Sequence, residues 1–69
     1  MSTTVFGQRL KQARMQQKIS VLKLATKCGI EHKSMYQYED EGRYPNLGRA
    51  ITIAKTLGCS LNWLAGLED

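Results

Sequence analysis

The apolar and polar positions of this chain alternate at three- and four-residue spacings almost throughout, and the elements that rhythm predicts are helices. Phe6, Leu10, Ala13 and Gln17 fall four, three and four apart with polar residues between them. That is the stripe of an amphipathic helix over residues 5–17. Ser20 stands where the next helix needs an N-cap, its side-chain oxygen taking up a free backbone N–H. A second helix over 21–27 or 28 puts Val21, Leu24, Ala25 and Cys28 on one face. Gly29 stops it, because glycine enters the left-handed conformation without a Cβ clash. A third helix follows from 31 or 32 to 39, with Met35 and Tyr38 three apart on its inner side. Residues 40–46 read as a loop marked by Gly42 and Pro45, with Tyr44 held extended by the proline after it. Asn46 caps a fourth helix whose buried positions are expected to be Leu47, Ala50, Ile51, Ala54 and Leu57. Gly48 within it costs about 1 kcal/mol relative to alanine. Gly58 ends that helix, and Ser60 caps a last short one carrying Leu61, Trp63 and Leu64. No alternating strand pattern exceeds a few residues, and no repeat is evident. The fold class is all-α: five short helices around one core.

Length and composition narrow this further. A chain of 69 residues allows one domain, over residues 1–69, and buries only about 60% of the surface its unfolded form exposes. Apolar residues at 42% and charged ones at 23% are ordinary for a globular domain and too apolar for a disordered one. No apolar run approaches the roughly 18 residues a membrane span needs. Residues 1–4 are polar and Arg9-Leu10-Lys11 stands where a leader would be apolar, so a cytoplasmic location and no membrane partner are expected. Cys28 and Cys59 belong to no Cys-x-x-Cys pair, and His32 is the only histidine. No metal set forms from these, and the cysteines are expected to be buried thiols in a reducing compartment. Neither a cofactor nor a small-molecule ligand is implied.

Charge is more telling than composition. Residues 1–38 hold seven Lys and Arg against Glu31 alone, a charge of +6, whereas residues 39–69 carry −2. Such asymmetry fits one face presented to a polyanion. The segment from Val21 to Glu39 gives that face a form. Two helices joined by Cys28-Gly29-Ile30 have the spacing of a helix-turn-helix over about 21–39. Ala25 is small where the third helix crosses, Gly29 makes the sharp turn, and Ile30 fills the wedge between the helices. With Met35 and Tyr38 turned inward, His32, Lys33, Ser34, Tyr36 and Gln37 are expected to face outward.

The sequence resembles the Cro/cI-like, or XRE-like, helix-turn-helix proteins of phages and bacteria over residues 6–67. The resemblance rests on Phe6-x-x-Arg9-Leu10-Lys11-x-x-Arg14, on Leu24-Ala25-x-x-x-Gly29-Ile30, and on Glu39 followed six residues later by Pro45. It is completed by Ile53-Ala54-Lys55-x-Leu57-Gly58-Cys59-Ser60-Leu61-x-Trp63-Leu64-x-Gly66. Two positions depart from the family: Glu41 stands where its loop glycine usually falls, with Gly42 next, and Gly48 replaces a polar helix former. The resemblance implies a five-helix, lambda-repressor-like DNA-binding domain that binds operator DNA as a two-fold dimer.

Carried over residue by residue, it places His32, Lys33 and Gln37 at base edges in the major groove. Lys donates to guanine O6 and N7, and Gln pairs bidentately with adenine N6 and N7. It assigns backbone contacts to Ser20, Val21 and Lys23 at the start of the second helix, where N–H groups and the helix dipole favour phosphate. Ser34, Tyr36, Arg43 and Tyr44 join that set. Arg9, Lys11 and Lys18 are assigned no contact. The family's structural ion pair falls on Arg14 and Glu39. Trp63 and Leu64 are read as core, and Leu61 and Leu67 as the dimer interface.

An enzyme is excluded by the residue inventory. The chain has no phosphate-binding glycine loop, no G-x-S-x-G turn and no paired carboxylates on one face. The rival reading is a protein-interaction module, such as an antitoxin or adaptor, because this fold serves both purposes. Few residues follow Leu64 to wrap a toxin, and the basic, amide-bearing third helix favours DNA. A complete small regulator and one domain of a longer repressor both fit the chain's length.

Overall fold

A computed structural model describes residues 3–69. Met1 and Ser2, read above as part of a polar N-terminus without a leader, lie outside the described residues. Five helices follow one another: α1 (Val5–Gln16), α2 (Val21–Cys28), α3 (His32–Asp40), α4 (Leu47–Leu57) and α5 (Leu61–Leu64). Among the described residues there is no strand, and no helix is long and apolar enough to cross a membrane.

Side-chain caps set four of the five starts. The oxygens of Thr4, Ser20, Asn46 and Ser60 each accept from an N–H three residues on, at Gly7, Lys23, Arg49 and Trp63. That satisfies donors that no intrahelical carbonyl can reach. α3 differs, since Glu31 precedes it with no side-chain cap bond. α2 and α4 both end on a glycine in the left-handed conformation, Gly29 and Gly58, each at φ 68°. α1 ends one residue earlier than its apolar stripe suggests. Gln17 is its C-cap, and its exposed side chain reaches across to donate to the Leu57 carbonyl at 2.6 Å.

The core gathers Phe6 and Leu10 of α1, Leu24 and Ala25 of α2, Met35 and Tyr38 of α3, Ile53 and Leu57 of α4, and Leu64 of α5. α1 packs on α3 and α5, α2 on α3 and α4, and α4 on α5. Gly7 shows how closely α1 meets α3. A Cβ there would fall against the Tyr38 carbonyl and 2.9 Å from that of Glu39.

Three expectations are corrected. On α4 the core takes Ala50, Ile53, Ala54 and Leu57, while Leu47 is 69% and Ile51 38% exposed. The buried face centres between Ala50 and Leu57, and at 100° per residue Ile51 lies about 110° away from it. Ser34 is buried, not outward. It sits one turn before Tyr38 on the same helical row and so shares that residue's inward face. Cys28 and Cys59 are free thiols but only partly buried. Even so, desolvation pushes the Cys59 thiol above its ordinary pKa.

Candidate nucleic-acid interface

α3 has two unlike faces. Met35, Tyr38 and Glu39 lock one into the protein, while His32 and Lys33 are exposed, Tyr36 is 53% exposed and Gln37 is partly exposed. One turn apart, the rings of His32 and Tyr36 lie parallel, with centroids 6.3 Å apart and planes 2° from coincidence. Gln37 is held from the following loop. The Arg43 guanidinium donates from Nη1 to Gln37 Oε1 at 2.7 Å, and the Arg43 amide donates to the Gln37 carbonyl at 3.3 Å. The same guanidinium lies over the Tyr38 ring, 5.6 Å from its centroid. Tyr38 is fixed in turn, its Oη accepting from Arg49 Nη1 at 2.9 Å.

α3 is anchored from behind by an ion pair. Arg14 donates to Glu39 through Nε at 2.7 Å and Nη2 at 3.1 Å, and through Nη1 to the Ile19 carbonyl at 2.7 Å. Glu39 is 2% exposed, so both carboxylate oxygens are paired in a nearly dry site. This two-pronged geometry joins α1, the segment before α2, and α3 through one side chain. Thr3 adds a bond from Oγ1 to the Glu39 carbonyl at 2.8 Å.

The start of α2 is open to solvent. Ser20 Oγ is occupied by the Lys23 N–H at 3.0 Å, so Ser20 spends its side chain on the helix. The amides of Val21 and Leu22 open the helix and have no preceding turn to bond. Val21 is half-buried and Lys23 exposed. Arg43 and Tyr44 are both exposed in the loop before α4.

Away from α3 the surface carries an apolar groove of about 440 Å³, lined by Phe6, Tyr44, Pro45, Leu47, Leu61 and Leu67 among others. Leu67 is 77% exposed, Leu61 half-buried, Trp63 partly buried against the core and Leu64 fully buried. Among the described residues, no three of His, Cys, Asp and Glu gather where they could hold a metal ion.

Several structural residues escaped the sequence reading. Arg9 stacks over Trp63 at 5.2 Å and donates to the carbonyls of Trp63 at 2.6 Å and Glu68 at 2.5 Å. It is a strap on α5, not a solvated charge. Lys11 pairs with Asp40 at 3.3 Å on the surface. Gly7 carries a signal in the sequence too, since a glycine inside a helical pattern costs stability unless something must pass close by.

Comparison with known proteins agrees with this architecture. The sequence model of a family described as a helix-turn-helix domain matches residues 7–69. The uncharacterised HTH-type transcriptional regulator YobD of Bacillus subtilis (strain 168) is 34% identical over 65 residues, which is 94% of this chain. The chain spans 58% of that relative's length. Among solved structures, the restriction-modification controller protein C.AhdI from Aeromonas hydrophila superposes with a TM-score of 0.81 at 26% identity, over 88% of this chain and 92% of that one. The P22 c2 repressor protein, in complex with a synthetic operator, superposes with a TM-score of 0.82 at 27% identity, over 90% and 94%.

Proposed function

The chain belongs to the helix-turn-helix domain family, and on that footing we propose that it is a sequence-specific DNA-binding transcriptional regulator, a repressor of phage or prophage type that binds a palindromic operator as a dimer. The observation that carries this reading is the division of α3. One face is fixed by Met35, Tyr38 and Glu39, and the other offers His32, Lys33, Tyr36 and Gln37 to solvent. A helix held that rigidly presents its polar face in one orientation, as base reading in the major groove requires. The likeness to a repressor solved with its operator supports the same docking.

In this reading His32, Lys33 and Gln37 meet base edges. The Val21 and Leu22 amides and the Lys23 side chain meet phosphate at the start of α2. Tyr36, Arg43 and Tyr44 line the groove walls and backbone. Two half-sites roughly 34 Å apart place both copies on one side of the duplex. The second copy covers the apolar groove that Leu61 and Leu67 line. Bound there, the dimer excludes polymerase sterically and needs no cofactor.

The test is selection from random duplexes by the purified chain at about 0.15 M salt, a concentration at which non-specific phosphate binding is weak. A palindromic motif with half-sites one turn apart is expected. Lys33→Ala should then relax preference at one base pair by about 1–3 kcal/mol, while Lys23→Ala weakens all sequences alike. Enrichment of no sequence would defeat this reading in favour of a protein-interaction module.

A further inference from the structure

Resting on that DNA-binding reading, we propose that Arg43 sets which base Gln37 reads, turning a residue that pairs naturally with adenine into one that selects guanine. A glutamine amide offers one acceptor and two donors, and its bidentate match to adenine uses both kinds: Oε1 accepts from N6 and Nε2 donates to N7. Here Oε1 already accepts from Arg43 Nη1 at 2.7 Å. Arginine carries five donors and no acceptor, so the amide atom that faces it must be the oxygen. The orientation of Gln37 is therefore fixed by chemistry, with its N–H2 turned away from Arg43.

Arg43 is not a passing neighbour. Its backbone amide bonds the Gln37 carbonyl at 3.3 Å, and its guanidinium lies over the ring of Tyr38. Tyr38 is itself buried and tied to Arg49. The bond to Oε1 is charge-assisted, roughly twice as strong as a neutral one. An adenine N6 amino group would have to share that oxygen with a cation and stand donor against donor beside it. The pair instead presents only donors outward: Nε2 of Gln37 and the remaining N–H groups of Arg43. Two acceptors side by side in the major groove, O6 and N7, are the signature of guanine. Arg43 acts here as a positioning residue, through the amide it holds.

The experiment compares the wild-type chain with Gln37→Ala, Arg43→Ala and Arg43→Met in duplex selection, followed by affinity measurements on all four bases at the affected position. Arg43→Met keeps an unbranched stem on Tyr38, so the loop is not emptied. Gln37→Ala identifies the base pair that Gln37 reads. The wild-type chain is expected to prefer guanine there, and both Arg43 variants to lower the guanine-to-adenine ratio at least about fivefold, with other positions unchanged. If both Arg43 variants instead weaken every sequence equally, Arg43 is a phosphate contact only and the proposal fails while the DNA-binding reading stands. A wild-type preference for adenine at that position, or no position altered by Gln37→Ala, overturns it as well. If the wild-type chain enriches nothing, the DNA-binding reading itself falls.

Discussion

The pairs α2–α3 and α4–α5 are built on the same turn and put to different ends. In each, three residues separate the helices, and a glycine at φ 68° closes the first one. In each, the residue after that glycine donates back five residues at 3.0 Å, Ile30 to Ala25 and Cys59 to Ala54. Both turns thus close in the Schellman manner, with an apolar contact beneath. The second helices then diverge. α5 has four residues, is capped by Ser60, and serves to plug the core with Leu64. α3 has nine residues and no side-chain cap, and its two turns are long enough to bury one face and still present another. The turn is therefore a structural device and carries no function of its own. What fits one pair for the base reading proposed above is the length of its second helix and the residues left outside.

The largest way to break the α2–α3 pair is to cut its anchor. Glu39→Ala leaves the Arg14 guanidinium facing an empty, nearly dry pocket, and one lost partner of a buried pair costs about 3–5 kcal/mol. The lower end is expected, because the Arg14 side chain keeps 12% exposure. Urea unfolding followed by far-UV circular dichroism should register it, and a loss below about 1 kcal/mol would mean that the pair is no anchor. Next comes Gly7→Ala. A helix gains about 1 kcal/mol from that change where space is free. Here the new Cβ meets two carbonyls of α3, so a net loss of about 2 kcal/mol is expected, in the range of overpacked sites. A stabilised Gly7→Ala protein would show that α1 and α3 do not approach this closely.

Much of this architecture was legible because the signals were local. Caps at Ser20, Asn46 and Ser60 and stops at Gly29 and Gly58 are set by one residue's chemistry, and they fix where three helices begin or end. The Arg14–Glu39 pair followed from family likeness, not from physics, since nothing local in the sequence joins residues 25 apart. What escaped were facts of packing. α4 is apolar on more than half its circumference, so periodicity alone could not choose Ile53 over Ile51 as the core residue. Ser34 is polar, and only its place one turn before Tyr38 explains its burial. The likeness of Leu24-Ala25-x-x-x-Gly29-Ile30 to Ile53-Ala54-x-x-x-Gly58-Cys59 stood in the sequence, yet it reads as a repeat only once both turns are seen to share a geometry. Of the proposed reading face, the outward turn of His32, Lys33, Tyr36 and Gln37 followed from the inward one, whereas Ser34, expected outward with them, is buried. The hold of Arg43 on Gln37 depends on a loop path that no spacing rule gives.

Smaller perturbations sharpen the likeness between the turns. Neither glycine has an atom within 4 Å of where its Cβ would stand, so Gly29→Ala and Gly58→Ala feel only the left-handed backbone. Each is expected to cost about 1 kcal/mol, and the two losses should agree to within about half that. Unequal losses would mean that the turns are alike in shape but not in strain. Affinity for a duplex carrying a single half-site should separate them, falling for Gly29→Ala, which re-aims α3, and holding for Gly58→Ala, which re-aims only α5 and the dimer face proposed on it.

The smallest effect tests the one difference at the turns themselves. Ser60 caps α5, and Ser60→Ala should cost about 1 kcal/mol. Glu31 occupies the matching position before α3, at φ −59° and ψ 139°, and makes no side-chain cap bond. A serine there has its hydroxyl where the first turn of α3 still has free N–H groups. Glu31→Ser is therefore expected to stabilise the chain by about 0.5 kcal/mol, the modest end of a capping gain, as read by a rise in urea midpoint at unchanged slope. It also removes the only acidic residue among the first 38, so duplex affinity should rise at low salt and converge with wild type as salt screens the charge. A midpoint that does not move would mean that α3 gains nothing from a cap and that the missing one is no compromise between folding and reading.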